Sequence, residues 1–243
     1  MRSNFEWKYW GVVDPLWSVA AWNGKEVGTA SAWTPTEFLR LGELDFADVW
    51  RHWQHYGVAA GRCVEIGCGA GRMTLQLARH FTSVLAIDVS PGQIAKAKAI
   101  LGTPVERVEF HLVDDPILPA PDDSCDAMFS SHVFQHLPGA GAIMVYLRES
   151  FRVVRSGSSI CFHLPVPGAH LNVRQSLWWL WLRNRYKKLK RTLRLPRIME
   201  YHRYRIPVVF HMLALTGFVD AEVRVFAMRS NRDYHSFFLA RKP

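Results

Sequence analysis

The residues of this 243-residue chain best suited to chemistry fall in two short stretches. His132 and His136 stand four apart, so on a helical turn they would share a face. An imidazole with a pKa of about 6.5 can take a proton from a hydroxyl at neutral pH. The other stretch is Val64-Glu65-Ile66-Gly67-Cys68-Gly69-Ala70-Gly71-Arg72. Its alternating glycines let the backbone turn tightly and approach a ligand with no Cβ in the way. The spacing does not suit a dinucleotide, whose G-x-G-x-x-G pattern puts a third glycine where Arg72 stands. Glu65 sets a carboxylate directly before the loop, where it repels pyrophosphate and attracts an amine-bearing or cationic ligand.

Two further acidic positions extend that ligand. Asp88 lies 21 residues beyond Gly67, an offset from which a carboxylate accepts hydrogen bonds from ribose hydroxyls. Asp114-Asp115 closes a third apolar segment, where an acid can take an adenine amino hydrogen. S-adenosylmethionine fits a ligand with a ribose, an adenine, no phosphate and a positively charged amino group.

These positions need strand ends and helix starts to hold them. Residues 62–66, 84–87, 108–113, 126–130 and 159–164 read as short apolar strands. Residues 72–81, 90–101 and 139–154 read as the helices between them, the last ending at Gly157. Ser90 caps its helix, with Pro91 at the first helical position. Such alternation predicts a parallel sheet with helices on both faces. Upstream, Thr34-Pro35-Thr36-Glu37 has the form of a capping box and predicts a helix to about Tyr56, stopped near Gly57. Downstream, the pattern predicts a long helix over 171–195, a helix over 207–216 ended by Gly217, and strands over 220–228 and 236–241.

Composition sets the outer bounds. The chain is 49% hydrophobic and 21% charged, which excludes a disordered or low-complexity protein. Its apolar runs fall far short of the roughly 20 residues a membrane span requires. The first residues lack a signal-peptide core, so a cytoplasmic location is expected. The four cysteines hold no C-x-x-C pair and suggest neither a disulfide framework nor a zinc site. The net charge of +9 is local: between Arg183 and Arg205 lie ten basic residues and one acid, while the remainder has 20 of each sign. Seven of the ten tryptophans fall in residues 1–58. There they either stack on an acceptor or pin that arm to the core.

Residues 61–165 resemble the class I, S-adenosylmethionine-dependent methyltransferases, particularly those acting on small molecules. Glu65-x-Gly67-x-Gly69-x-Gly71 is similar to that family's first motif, and Ala86-Ile87-Asp88-Val89-Ser90 to its second-strand motif. Leu112-Val113-Asp114-Asp115 resembles its adenine-contacting turn. The stretch from Cys125 to Pro138 resembles its fourth-strand motif. Arg152-Val153-Val154-Arg155-Ser156-Gly157-Ser158 resembles the turn before its fifth strand, with the basic-Pro-Gly element altered to Arg-Ser-Gly. The resemblance implies an α/β fold: a doubly wound, mixed seven-stranded Rossmann-like sheet whose last strand is antiparallel. The sequence pattern divides the chain into a tryptophan-rich helical arm (1–58), a cofactor-binding core (59–165), a basic helical lid or insertion (166–206) and a closing helix with two strands (207–243). Within the core, the resemblance assigns Glu65, Gly67, Cys68, Gly69 and Gly71 to the methionine moiety, Asp88 to the ribose, Val89 to the adenine face, Asp114 and Asp115 to the adenine edge, and Ser130 to the sulfonium.

His132 and His136 then follow the fourth strand beside the expected methyl position. His132 is the first candidate for general base, with pocket lining as its bland alternative. His136 is the second candidate, with a brace for the helix start as the blander role. Some related sugar methyltransferases use magnesium, but that ion prefers carboxylate oxygen, and the fourth-strand loop offers none after Asp126. Magnesium is therefore disfavoured and no metal ligands are assigned. The motifs of base methylation in nucleic acids are absent, which argues against nucleic acid as a partner. The expected reaction is O-methylation of a small or amphipathic acceptor, preferably a saccharide or glycolipid hydroxyl. The 171–195 helix could serve as a lid, as an oligomer contact or as a peripheral contact with an anionic membrane. An RNA methyltransferase is the competing enzyme. A non-catalytic adenosine-ligand-binding module that meets a membrane or polyanion through its basic helix is the alternative outside enzymology.

Overall fold

The computed structural model describes residues 2–102, 106–167 and 201–243. Residues 62–163 alternate strand and helix: β1 (Arg62–Ile66), α4 (Thr74–His80), β2 (Ser83–Asp88), α5 (Pro91–Leu101), β3 (Val108–Leu112), β4 (Cys125–Ser130), α6 (Ala140–Val153) and β5 (Val154–His163). The chain closes with α7 (Ile206–Leu215), β6 (Val219–Ala227) and β7 (Tyr234–Arg241). The seven strands form one sheet in the order β3-β2-β1-β4-β5-β7-β6. β7 runs antiparallel to both β5 and β6, and the other pairings are parallel. This is the doubly wound mixed sheet expected. Strand order reverses between β1 and β4, and the carboxyl ends of β1, β2 and β4 open there as a crevice, the usual ligand position in such sheets.

Two layers cover the sheet. On one face Val64, Leu85, Met128, Ile160 and Phe238 pack against α6 and α7 through Ile143, Leu147, Val209 and Leu213. On the other, Ala86, Ala127, Phe129 and Leu239 meet α3 (Pro35–Tyr56) through Phe46, Val49 and Trp53. Trp53 is fully buried, and its indole N–H donates to Ser159 Oγ at 2.9 Å. Burying such a side chain contributes about 1.5–3 kcal/mol. The α3 start is a full capping box: Thr34 Oγ1 accepts the Glu37 N–H, and Glu37 accepts the Thr34 N–H. Gly57 ends it in the left-handed conformation.

Two shorter helices, α1 (Arg2–Val13) and α2 (Pro15–Val19), lie over α5. α1 is tied to the loop after β3: Asn4 Nδ2 donates to the Asp114 carbonyl at 2.9 Å, and Lys8 pairs with the Asp114 carboxylate. Trp10 meets Trp17 and Trp22 meets Trp33 within the arm, while Trp50 stacks on His80. Most tryptophans of the arm are thus packing residues.

One boundary differs from expectation. The helix before β5 ends at Val153, and the strand starts at once at Val154, running through Arg155-Ser156-Gly157. The Gly157 N–H bonds to Lys242 beside the last strand, so the anticipated turn is an extension of the sheet. The basic helix expected over 171–195 lies outside the described residues, as does most of the proposed insertion.

Candidate active site

Glycines at the β1 end make the first wall of the site. Gly67, Gly69 and Gly71 all have positive φ, at 75°, 52° and 87°. A Cβ on Gly67 would stand 2.2 Å from Val133 Cγ2, and one on Gly71 2.9 Å from Leu101 Cδ1. The loop is tied to β2 by backbone bonds from Gly67 and Cys68 to the Ile87 carbonyl. It is tied again by Asp88, whose carboxylate accepts the N–H of Gly69 and that of Ser90, each at 2.8 Å. The Val89 N–H bonds the same carboxylate, and the lone-pair capacity left over is available to a ligand hydroxyl. Burial raises the Asp88 pKa, and those backbone donors oppose the rise. Glu65 is buried behind the loop. Thr74 Oγ1 donates to it at 2.6 Å, and burial still pushes its pKa up to about 8.

A cavity of about 280 Å³ opens in front of this loop. Its floor and walls include Gly67, Gly69, Asp88, Val89, Gln93 and Val113, then Ser131, His132, Val133, Gln135 and His136, with Tyr146 from α6. α1 and α2 roof it with Asn4, Trp7, Ser18 and Val19. Trp7 is the arm's aromatic contribution among the described residues, standing edge-on to His136 with ring centroids 5.0 Å apart. Gln93 Oε1 and Gln135 Oε1 are buried acceptors with no partner.

His132 and His136 both reach this cavity, but not from one helical face. His132 is in the left-handed backbone region at φ 61°, before the short 3₁₀ turn Phe134–His136. That conformation breaks the turn and sends the two rings to different neighbours. His136 faces Trp7 and Tyr201. His132 Nδ1 meets Ser131 Oγ at 2.9 Å, and its ring lies 4.2 Å from that of His163 and 5.2 Å from that of His235, centroid to centroid. Burial, then the two neighbouring imidazoles, hold the His132 pKa well below the ordinary range. Burial, then His235 and His136, depress His163 likewise. His132 is therefore neutral at pH 7.

The remaining sequence candidates fall outside the cavity lining. Glu65, Cys68 and Gly71 build the loop from behind. Ser130 is buried and donates to the Ile66 carbonyl at 3.0 Å. Asp114 and Asp115 are exposed, and Asp114 is engaged by α1 rather than turned into the cavity, where Val113 stands instead. Sequence reasoning missed His163, His235, Trp7, Gln93 and Tyr146. The histidines carry no local signal, because only the β4-β5-β7 adjacency brings them together.

The order β3-β2-β1-β4-β5-β7-β6, with a glycine loop after β1 and an acid ending β2, is the class I methyltransferase fold. Residues 64–162 match the family model described as a methyltransferase domain, so the central unit of the chain is such a domain. The chain is 34% identical over 122 residues to the magnesium-protoporphyrin O-methyltransferase of Rhodobacter capsulatus, covering 49% of this chain and 50% of that one. It is 30% identical over 105 residues to the 27-O-demethylrifamycin SV methyltransferase of Amycolatopsis mediterranei, covering 42% and 38%. The chain thus spans half or less of the length of these curated relatives. Among solved structures, the magnesium protoporphyrin IX methyltransferase of Synechocystis with bound S-adenosylhomocysteine superposes with a TM-score of 0.65 at 14% identity, covering 99% of both chains. A Haemonchus contortus phosphoethanolamine N-methyltransferase superposes with a TM-score of 0.59 at 18% identity, covering 86% of this chain and 58% of that one. At such identities the structural likeness speaks for the fold.

Proposed function

We propose that this chain transfers a methyl group from S-adenosylmethionine to a hydroxyl oxygen of a small or amphipathic acceptor, with saccharide hydroxyls the preferred class. The residues suit the cofactor: bare backbone at Gly67 and Gly69, Asp88 lone pairs for ribose hydroxyls, and the unpartnered oxygens of Gln93 and Gln135. When bound, the cofactor supplies a methyl already activated on a sulfonium, so much of the catalysis is positioning. The observation that carries the acceptor reading is His132, a neutral imidazole on the wall of the cavity that the glycine loop also lines. It accepts the hydroxyl proton as the oxygen becomes a nucleophile. Ser131 Oγ fixes the ring through Nδ1 and leaves Nε2 for the acceptor.

Incubation with methyl-labelled cofactor and a panel of hydroxyl, amine and carboxylate acceptors tests this reading. The expected product is an alkali-stable methyl ether. Labelling confined to amines, or to alkali-labile esters, would overturn it. The ester outcome is a second reading: it is favoured by the likeness to magnesium-protoporphyrin methyltransferases and by the Trp7–His136 aromatic pair lining the cavity. A carboxylate acceptor is already ionised at neutral pH and needs no base.

A further inference from the structure

Behind the cavity wall three imidazoles converge from three strand ends. His132 follows β4, His163 ends β5 and His235 begins β7. Each offers one donor atom to a set lying within 4.8 Å of one another. His163 Nε2 and His235 Nδ1 stand 3.2 Å apart, and the three ring centroids are separated by 4.2, 5.1 and 5.2 Å. A tetrahedral ion with metal–nitrogen bonds of about 2.0–2.1 Å spaces its ligand nitrogens about 3.4 Å apart. The His163–His235 pair is already close to that spacing, and the His132 and His163 rings, stacked at 22°, must rotate to aim both lone pairs at one ion. We propose that His132, His163 and His235 form a binding site for one divalent transition-metal ion of the zinc type.

The chemistry of the donors supports that class. All three are imidazole nitrogens and no carboxylate joins the group, which suits zinc, cobalt or nickel and not magnesium or calcium. One hydrogen satisfies the His163–His235 contact, yet His163 is 3% exposed and its Nδ1 has no partner. An ion bound at His163 Nε2 leaves the ring proton on Nδ1, the tautomer of a neutral metal-bound imidazole. His132 has the outer support typical of a metal ligand: Ser131 Oγ meets Nδ1 and leaves Nε2 as the ligating atom. Among the described residues no fourth ligand joins the set. Three protein ligands with an open position is the form of a catalytic rather than a structural site, and His132 lies on the cavity wall.

The site stands without the acceptor assignment; only its consequence rests on the hydroxyl reading. An oxygen occupying the fourth position would lose its proton to water, because the ion lowers its pKa. His132 then holds the ion instead of taking the proton.

The full chain, stripped with chelator and dialysed against cobalt or zinc, should take up one equivalent. Cobalt should give the visible ligand-field bands of a tetrahedral site, and zinc X-ray absorption should count three imidazole nitrogens. His163→Gln and His235→Gln should each weaken binding by at least roughly 100-fold, and Ser131→Ala by roughly 10–100-fold. The absorption measurement needs no variant, so a misfolded mutant does not blunt the test. Uptake below one equivalent, fewer than three imidazoles, or affinity unchanged in both glutamine variants would each overturn the site. If uptake fails while methyl ethers still form, the imidazole base stands alone. If uptake succeeds and no hydroxyl is methylated, the metal site stands and the acceptor reading falls.

Discussion

Asp88 Oδ2 accepts the Gly69 N–H at 2.8 Å, joining the end of β2 to the glycine loop after β1. The same carboxylate caps the Ser90 N–H at the start of α5. One side chain therefore sets the loop and presents lone pairs to the cavity. Charge-assisted bonds of this kind contribute about 1.5–3 kcal/mol. Asp88→Ala should lower S-adenosylmethionine affinity by at least roughly 10- to 150-fold, measured by calorimetry. Unchanged affinity would remove the residue from the cofactor site.

Gly67 is confined by conformation and by space, since its φ is 75° and its Cβ position falls against Val133. Gly67→Ala should cost about 1–3 kcal/mol, seen in chemical denaturation. Adding Val133→Ala should recover the steric part only, because the left-handed backbone remains. Full recovery in the double variant would show that backbone strain plays no part.

Much of this architecture is legible locally. Thr34, Pro35 and Glu37 announce their helix because a capping box is complete within four residues. Ser90-Pro91 does the same for α5. The β1 glycines and Asp88 are readable because a strand end followed by a helix places them at one edge. His163 and His235 are not readable. They lie 72 residues apart, and their meeting depends on β7 inserting antiparallel beside β5, which no short-range period encodes. The left-handed turn at His132 is equally silent, so a four-residue spacing suggested a helical face that the backbone does not form. The engagement of Asp114 by Lys8 and Asn4 is equally unreadable, because both partners come from the distant arm.

Glu65 gives the site a pH dependence with a defined sign. Its folded-state pKa is about 8, against 4.5 for the free side chain, chiefly through burial. The ligand-free carboxyl is mostly protonated at pH 7, whereas a cationic amino group bound in front of the glycine loop favours the carboxylate behind it through its field. Binding near pH 7 should therefore release a proton, and affinity should peak near pH 8, above which the ligand's own amino group, with a pKa of about 7.7–8.0, loses its charge. Calorimetry in buffers of different ionisation enthalpy measures that proton, and Glu65→Gln should abolish it. The stability term is full below about pH 4.5 and is lost as pH rises through about 8, because the folded state holds the extra proton. The ligand-free protein should melt lower at pH 8.5 than at about pH 6, relative to Glu65→Gln.

Arg72, the residue that breaks the dinucleotide pattern, forms a buried ion pair with Asp45 of α3. Both side chains are under 10% exposed. Asp45→Ala leaves a buried guanidinium uncompensated and should cost about 3–5 kcal/mol by chemical denaturation. Arg72→Met with Asp45→Leu should lie close to the unmodified protein. Additive losses in the double variant would show that the two charges do not act as a pair.

His132 separates binding from chemistry. It lines the cavity, while its partners His163 and His235 stand behind it. Alanine at a φ of 61° would add backbone strain, so His132→Asn is the cleaner substitution, because Asn tolerates the left-handed region. Loss of proton acceptance should lower kcat on a hydroxyl acceptor by roughly 10²- to 10⁴-fold. Cofactor affinity, set by Asp88 and the glycine loop, should change little. If turnover on a hydroxyl survives intact, His132 does not activate it. If turnover and cofactor affinity fall together, the ring shapes the pocket rather than the reaction. A carboxylate acceptor should be methylated equally well by both forms, since its oxygen carries no proton to remove.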